Sequence, residues 1–532
     1  MTKNFIGSLL LVKLVLRRER INSTLWILLT AILSAFIVIG IEGALSDMST
    51  FELVNMLSNP AMVAMMGPVT GTSFGALYST MMLLFTVIAV CVMNVMFIVR
   101  HTRADEEKGR YEVLRSLPIG RLANLNAAIL SAVIINILLA VLTGLALFSA
   151  GGGRMDFGGS MLFGVLLGVI GLFFAVLTAM FAQVFANARK ASGYSFMCLG
   201  VFYLMRAIGD VSFEPLSLLS PLGLVLMGEP FAGNYIWPIF VLLPALAIIL
   251  LLAYRFNFIR DIDQGLIADK KGRAHGGPLV KNICVFTFKL LLPSLLVGAI
   301  SVFILGASYG FVMGDVEMFV EANEFYRQLL LWMDGISLPI LFVGFINFTS
   351  AIMALVPLLL YVLKIRAEEK EGRGELIVAS SVSRFKYFGG FIIVAFVSSI
   401  VFQTLIAIGL WASAITILPE PGDFPLNYVL IGNLVYIPAL LVIVGLAVFL
   451  VGVLPKLTGL IWAVYGISLF VGLFGRMDIL PGWTNNLTPF GFIPQYPMEE
   501  IQWLPLVILL CISLVLTVLG LIGYRKRDIN RV

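Results

Sequence analysis

Twelve apolar runs, most of them close to twenty residues long, set the fold of this chain, because a hydrocarbon layer about 30 Å thick is spanned by about twenty such residues in a helix. In the first half they cover 25–43, 78–99, 122–150, 161–185, 191–208 and 236–254. In the second half they cover 290–313, 338–362, 389–415, 428–453, 457–474 and 503–523. Between them little remains for a soluble domain: 60% of the 532 residues are hydrophobic and 12% are charged, where soluble chains carry roughly a quarter charged. The four cysteines stand apart without paired spacing, and there are only two histidines, His101 and His275. That pattern argues against a disulfide framework, a zinc site or a histidine relay, and casts the cysteines as small core residues.

Positive charge orients the runs. With both termini on the cytoplasmic side, every one of the 35 Lys and Arg falls inside except Arg154, Arg206, Arg327 and Arg476, as the positive-inside rule requires. Near the N-terminus, the apolar stretch from Phe5 to Leu16 runs into Arg17, Arg18, Glu19 and Arg20 rather than a small-residue cleavage site. It reads as an interfacial helix on the cytoplasmic leaflet, not as a signal. The stretch 279–289 reads as a reduced copy of it.

The chain repeats itself. Residues 103–121 align without a gap on 366–384: Arg103, Ala104, Glu106, Gly109, Arg110, Glu112 and Arg121 match Arg366, Ala367, Glu369, Gly372, Arg373, Glu375 and Arg384. Both copies lie between the second and third runs of their half. Leu219-Ser220-Pro221-Leu222-Gly223 is echoed by Leu487-Thr488-Pro489-Phe490-Gly491, and Arg260-Asp261-Ile262 by Arg527-Asp528-Ile529. The expected fold is therefore an all-α polytopic membrane protein, with twelve transmembrane helices as two pseudo-symmetric six-helix halves. These halves are 1–260 and 282–532, joined by a flexible cytoplasmic linker, 261–281, rich in Lys and Gly.

The duplicated loop is short, charged and of helical spacing, with Glu106 and Arg110 four residues apart and Glu369 and Arg373 likewise. Such a helix lying along the membrane presents carboxylates and guanidiniums to a cytoplasmic partner. Two copies suit a partner that is itself a two-fold dimer. The loop resembles the coupling helix of ABC exporter permeases of the second type. The tandem form, with its Arg-Asp-Ile ends and Ser/Thr-Pro-x-Gly loops, resembles the tetronasin, or polyketide-antibiotic, exporter permeases.

The resemblance implies an exporter energised by a separate ABC ATPase, in two copies, which would hold ATP and Mg²⁺. This chain would bind no cofactor or metal, and it contains no G-x-x-x-x-G-K-[ST] loop. The coupling residues carried over are Glu106, Glu107, Gly109, Arg110 and Glu112, with Glu369, Gly372, Arg373 and Glu375. In the second copy Arg115 and Pro118 become Val378 and Ser381, and Glu371 appears, which sets the two helices apart. A bacterial or archaeal cell membrane is the implied location. The cargo is expected to be a hydrophobic or amphipathic small molecule such as an antibiotic, and no nucleic-acid partner is expected.

Ionisable residues near membrane depth are few. Arg206 with Asp210, and Arg476 with Asp478, end the fifth and eleventh runs and are candidates for an outer gate. Glu42 reads as a boundary residue. Outside, 51–68 carries Met56, Met62, Met65 and Met66 with little charge, and 316–333 is amphipathic; both read as helices capping the outer mouth. The chief alternative is an ion-coupled secondary transporter, disfavoured because no Asp, Glu or His lies well inside a run. A lipid-linked transferase would rest on Glu499-Glu500 alone. A non-transporting sensor or scaffold keeps the same loops.

Overall fold

In a computed structural model of the chain, the described residues are 2–44, 50–261, 264–267, 282–313, 338–379, 382–418, 424–475, 481–496 and 499–527. The fold is that of an all-α polytopic membrane protein. Among the described residues there is no strand, only an isolated bridge between Phe185 and Ile267. The chain divides into two compact units, Met1–Gly272 and Arg273–Val532.

The first unit opens with α1 (Ser8–Ala44), 37 residues without a break and about 55 Å long at 1.5 Å per residue. This corrects the expected interfacial helix. No proline or glycine interrupts Ser8–Ile39, and Glu19 pairs with Arg100 and Arg18 with Asp105, so the helix continues where a bend was expected. Two short helices follow, α2 (Thr50–Leu57) and α3 (Pro60–Met66). Next come the second span α4 (Phe74–His101), then α5 (Arg103–Glu107) and α6 (Arg110–Arg115). The remaining spans are α7 (Ala123–Ala150), α8 (Phe157–Val184), α9 (Ala188–Ser212) and, after the short α10 (Glu214–Leu218) and α11 (Pro221–Leu226), α12 (Trp237–Ile259).

Polar side chains start these helices. The side chains of Ser73, Asp156 and Asn187 accept the N–H of the residue three further on, at 3.2, 2.7 and 2.8 Å, which satisfies backbone donors that lipid cannot. Helices α7 and α8 close on a seam of small residues, Gly168 facing the Asn136 carbonyl, the close approach common between membrane helices. Within the bundle, Asn94 and Asn136 exchange amide hydrogen bonds of 2.7 and 3.1 Å.

The second unit repeats the plan: α13 (Ile283–Val312), α14 (Leu338–Lys370), α15 (Arg373–Val378), α16 (Arg384–Ala414), α17 (Leu426–Leu434), α18 (Ile437–Val453), α19 (Leu460–Gly475) and α20 (Trp503–Lys526). The expected run 428–453 is divided at Val435–Tyr436, where Pro438 removes a backbone donor from the first turn of α18.

Among the described residues eleven helices are long and apolar enough to cross a membrane. The run at 457–474 does not join them. It forms α19, 16 residues and about 24 Å, begun after a 3-10 turn at Pro455–Leu457. The start of the expected linker is pinned, with Leu266 and Ile267 donating N–H to the Gln183 and Val184 carbonyls at 3.2 and 2.9 Å; 268–281 lie outside the described residues. Cys91 is buried as expected, whereas Cys511 is exposed on α20.

Candidate functional site

The duplicated loop folds as an elbow in each unit. Span α4 breaks at Thr102 and resumes as α5, whereas α14 runs unbroken to Lys370. Each then turns at a glycine in the left-handed region, Gly109 at φ 68° and Gly372 at φ 71°, before α6 or α15. A Cβ at either position would meet nothing within 4 Å. The requirement for glycine is therefore conformational rather than steric.

Below the elbow lies a buried ionic knot. In the first unit, Arg260, just past α12, donates Nη1 and Nη2 to the two carboxylate oxygens of Glu106, both at 2.7 Å. Arg103 Nη1 stands 3.1 Å from the same carboxylate, and its Nε donates to the Ala186 carbonyl between α8 and α9 at 2.7 Å. Arg121, before α7, donates to the Arg260 carbonyl at 2.7 Å. Gln183 accepts from Arg260 Nε at 2.7 Å and from Asn257 at 2.8 Å.

The second unit makes the same ties. Arg527 bonds Glu369. Arg366 Nη1 donates to Glu369 at 3.1 Å and Nη2 to the Pro455 carbonyl, between the fourth and fifth spans, at 3.0 Å. Arg384 donates to the Arg527 carbonyl at 2.7 Å.

These contacts revise how the elbows present their charges. Glu106 and Glu369 are 6% and 8% exposed and turn inward, because two arginines of their own unit bracket each one. Glu107 is exposed but accepts the N–H of Ala188, capping the start of α9; Lys370 takes its place in the second unit. Arg110 pairs with Asp105 at 2.8 Å, and Arg373 with Glu368 at 2.6 Å and with Glu371. The Glu368 carboxylate raises the Arg373 guanidinium above its ordinary range. Glu112 and Glu375 remain on the open face. Beside them stand Val113 and Leu376, 71% and 75% exposed, at matched positions of the repeat. Charge patterning passed over this apolar pair, although the ungapped alignment contains it.

The outer candidates differ. Arg206 is fully buried and closes the end of α3, donating to the Val63 and Ala64 carbonyls at 3.1 and 2.8 Å. It pairs with Asp210 at 3.3 Å, and Ser217 donates to that carboxylate at 2.6 Å. In the first unit this pair fastens α3 to α9. Arg476, Asp478 and 316–333 lie outside the described residues, as does the side chain of Glu42. On the second unit, a groove of about 410 Å³ runs between α13 and α16, lined by Phe288, Leu292, Leu296, Val397 and Phe402 among others.

A bundle of long apolar helices with one charged elbow in each unit defines a multi-pass membrane protein. Residues 12–258 and 283–525 match the family described as multidrug efflux system permease Rv1217c, C-terminal domain. The chain is 31% identical over 541 residues to the multidrug efflux system permease protein Rv1217c of Mycobacterium tuberculosis, covering 99% of this chain and 96% of that one. The chain belongs to this family of efflux permeases.

Proposed function

We propose that this protein is the membrane subunit of an ATP-driven exporter of hydrophobic or amphipathic drugs, energised by a separate ABC ATPase docked on the two elbows. The observation that carries the reading is the matched open face of α6 and α15, where Glu112–Val113 and Glu375–Leu376 stand in the same relation to a left-handed glycine. An exposed apolar side chain flanked by a carboxylate suits a shallow groove on a folded partner. Two such faces suit two copies of one partner, with ATP and Mg²⁺ held there. The relative's printed name supports drugs as cargo, and the apolar groove on the second unit suits compounds of that class. The positive-inside distribution supports a cell-membrane location with both termini cytoplasmic. The tetronasin-type assignment rests on the loop motifs.

The test is purification of the tagged chain in mild detergent with mass spectrometry of what accompanies it. An ABC ATPase at two copies per chain is expected, and the V113D/L376D double variant is expected to lose it while accumulating normally. A wild type that captures no ATPase, with or without crosslinking at the elbows, overturns the reading. One observation favours a second reading. Continuous α1 brings Glu19 into a span, buried, with its carboxylate 3.0 Å from His101 and 2.8 Å from Arg100. A titratable cluster there suits an ion-coupled transporter, and efflux that follows the proton gradient without any ATPase supports that alternative.

A further inference from the structure

Peptide bonds join each elbow only to the second and third spans of its own unit. The knots add links that the chain does not supply. Through Glu106, Arg103 and Arg260, the first elbow also holds the Ala186 carbonyl, between α8 and α9, and the end of α12. Through Glu369, Arg366 and Arg527, the second holds the Pro455 carbonyl and the end of α20. Arg121 and Arg384 tie the third span of each unit to the same arginine. The same links form in both units even though the carbonyl reached between the fourth and fifth spans belongs to unlike residues, Ala186 and Pro455, so the linkage itself repeats. Packing alone does not call for it, because buried ionic triads are often replaced by apolar side chains at no cost to stability.

We infer that Glu106 and Glu369 are positioning residues that make the inner ends of each unit's spans move as one block when load arrives at the elbow. ATP hydrolysis on the partner then becomes displacement of the last span instead of local bending at Gly109 and Gly372. The inference deepens the exporter reading and rests on it.

The test uses the whole permease–ATPase assembly carrying E106Q with E369Q, which keeps side-chain shape and removes the charge. ATPase capture, ATP hydrolysis and cellular efflux of ethidium or N-phenylnaphthylamine, whichever the wild type extrudes, are measured together. Capture and hydrolysis are expected to persist while efflux falls about ten-fold, and E106D with E369D is expected to recover part of it. Unchanged efflux overturns the inference. So does a fall in efflux and hydrolysis that only tracks loss of folded protein, since that is the mark of a purely structural knot. If the Gln pair does not accumulate, R121Q with R384Q cuts only the half-exposed tie to the third span. The same split is expected there at smaller size, and parallel loss of both activities overturns the inference. A wild type that captures no ATPase overturns the exporter reading itself, which distinguishes the two failures.

Discussion

The first elbow is also fastened to the first span of its own unit, and among the described residues the second is not. Arg18 of α1 donates to Asp105 at 2.6 and 3.1 Å, and Glu19 takes Arg100 at 2.8 Å and His101 at 3.0 Å. Helix α13 of the second unit carries one charged residue, Lys289, and among the described residues makes no such tie. The second elbow has Lys364 and Arg373 on Glu368 instead, at 3.0 and 2.6 Å, all within its own segment. Backbone continuity accounts for the difference. Span α4 breaks at Thr102, leaving five-residue α5 as a separate piece, so it needs an anchor on α1. Span α14 reaches Lys370 as one helix and carries its elbow unaided.

The knots differ in the same sense. Arg260 also engages Gln183 and the Gln264 carbonyl, whereas Arg527 Nε and Nη1 have no hydrogen-bond partner among the described residues. Two elbows of matching sequence are thus held with unequal firmness, and the second is the softer.

The largest effects test the knots. E106A leaves Arg103 and Arg260 buried together without their carboxylate, a loss expected at about 3–5 kcal/mol. E369A, beside the somewhat more solvent-accessible Arg527, is expected at about 1.5–3 kcal/mol. Thermal aggregation midpoints of the two detergent-solubilised variants check the order; equal shifts would break the asymmetry.

Next comes the anchor on α1. D105N weakens bonds from Arg18 and Arg110, with an expected loss of about 1–3 kcal/mol. Hydrogen exchange should rise along the N-terminal third of α1. E368Q should leave exchange in α13 unchanged, and a matching rise there would break the comparison.

The hinges are the one place where the units should agree. G109A and G372A each place a Cβ in a left-handed turn with open space around it, which costs about 1–2 kcal/mol. Asn at either position should be tolerated better, as measured by the same midpoints. The smallest stability change belongs to E112K and E375K on the open faces, within about 0.5 kcal/mol. ATPase capture in pull-downs should nevertheless fall for both. A fall for one alone would show that a single elbow dominates docking.

Much of the site was legible as positions before it was legible as contacts. The ungapped repeat already contained Arg103, Glu106, Arg121 and their copies, and the Arg-Asp-Ile echo contained Arg260 and Arg527. Their contacts were not legible, because helical spacing in a fully charged segment does not reveal which side turns inward. Val113 and Leu376 went unremarked for the converse reason: single apolar residues in a charged loop look incidental until the fold leaves both exposed. The continuity of α1 was missed because a run of four charges reads as a membrane boundary. Asp105, Arg100 and His101, some eighty residues away, are what allow Arg18 and Glu19 to sit in a helix that continues.

The sequence by itself determined a duplicated helical membrane protein with a charged loop of helical spacing in each half. Those features follow from local rules: apolar length against bilayer thickness, the bias of basic residues, and the spacing of opposite charges. Only the tertiary structure decided that Glu106 and Glu369 serve their own unit first. The second arginine of each pair lies 154 or 158 residues further along the chain, and burial of a carboxylate between guanidiniums depends on which helix ends the packed bundle brings together.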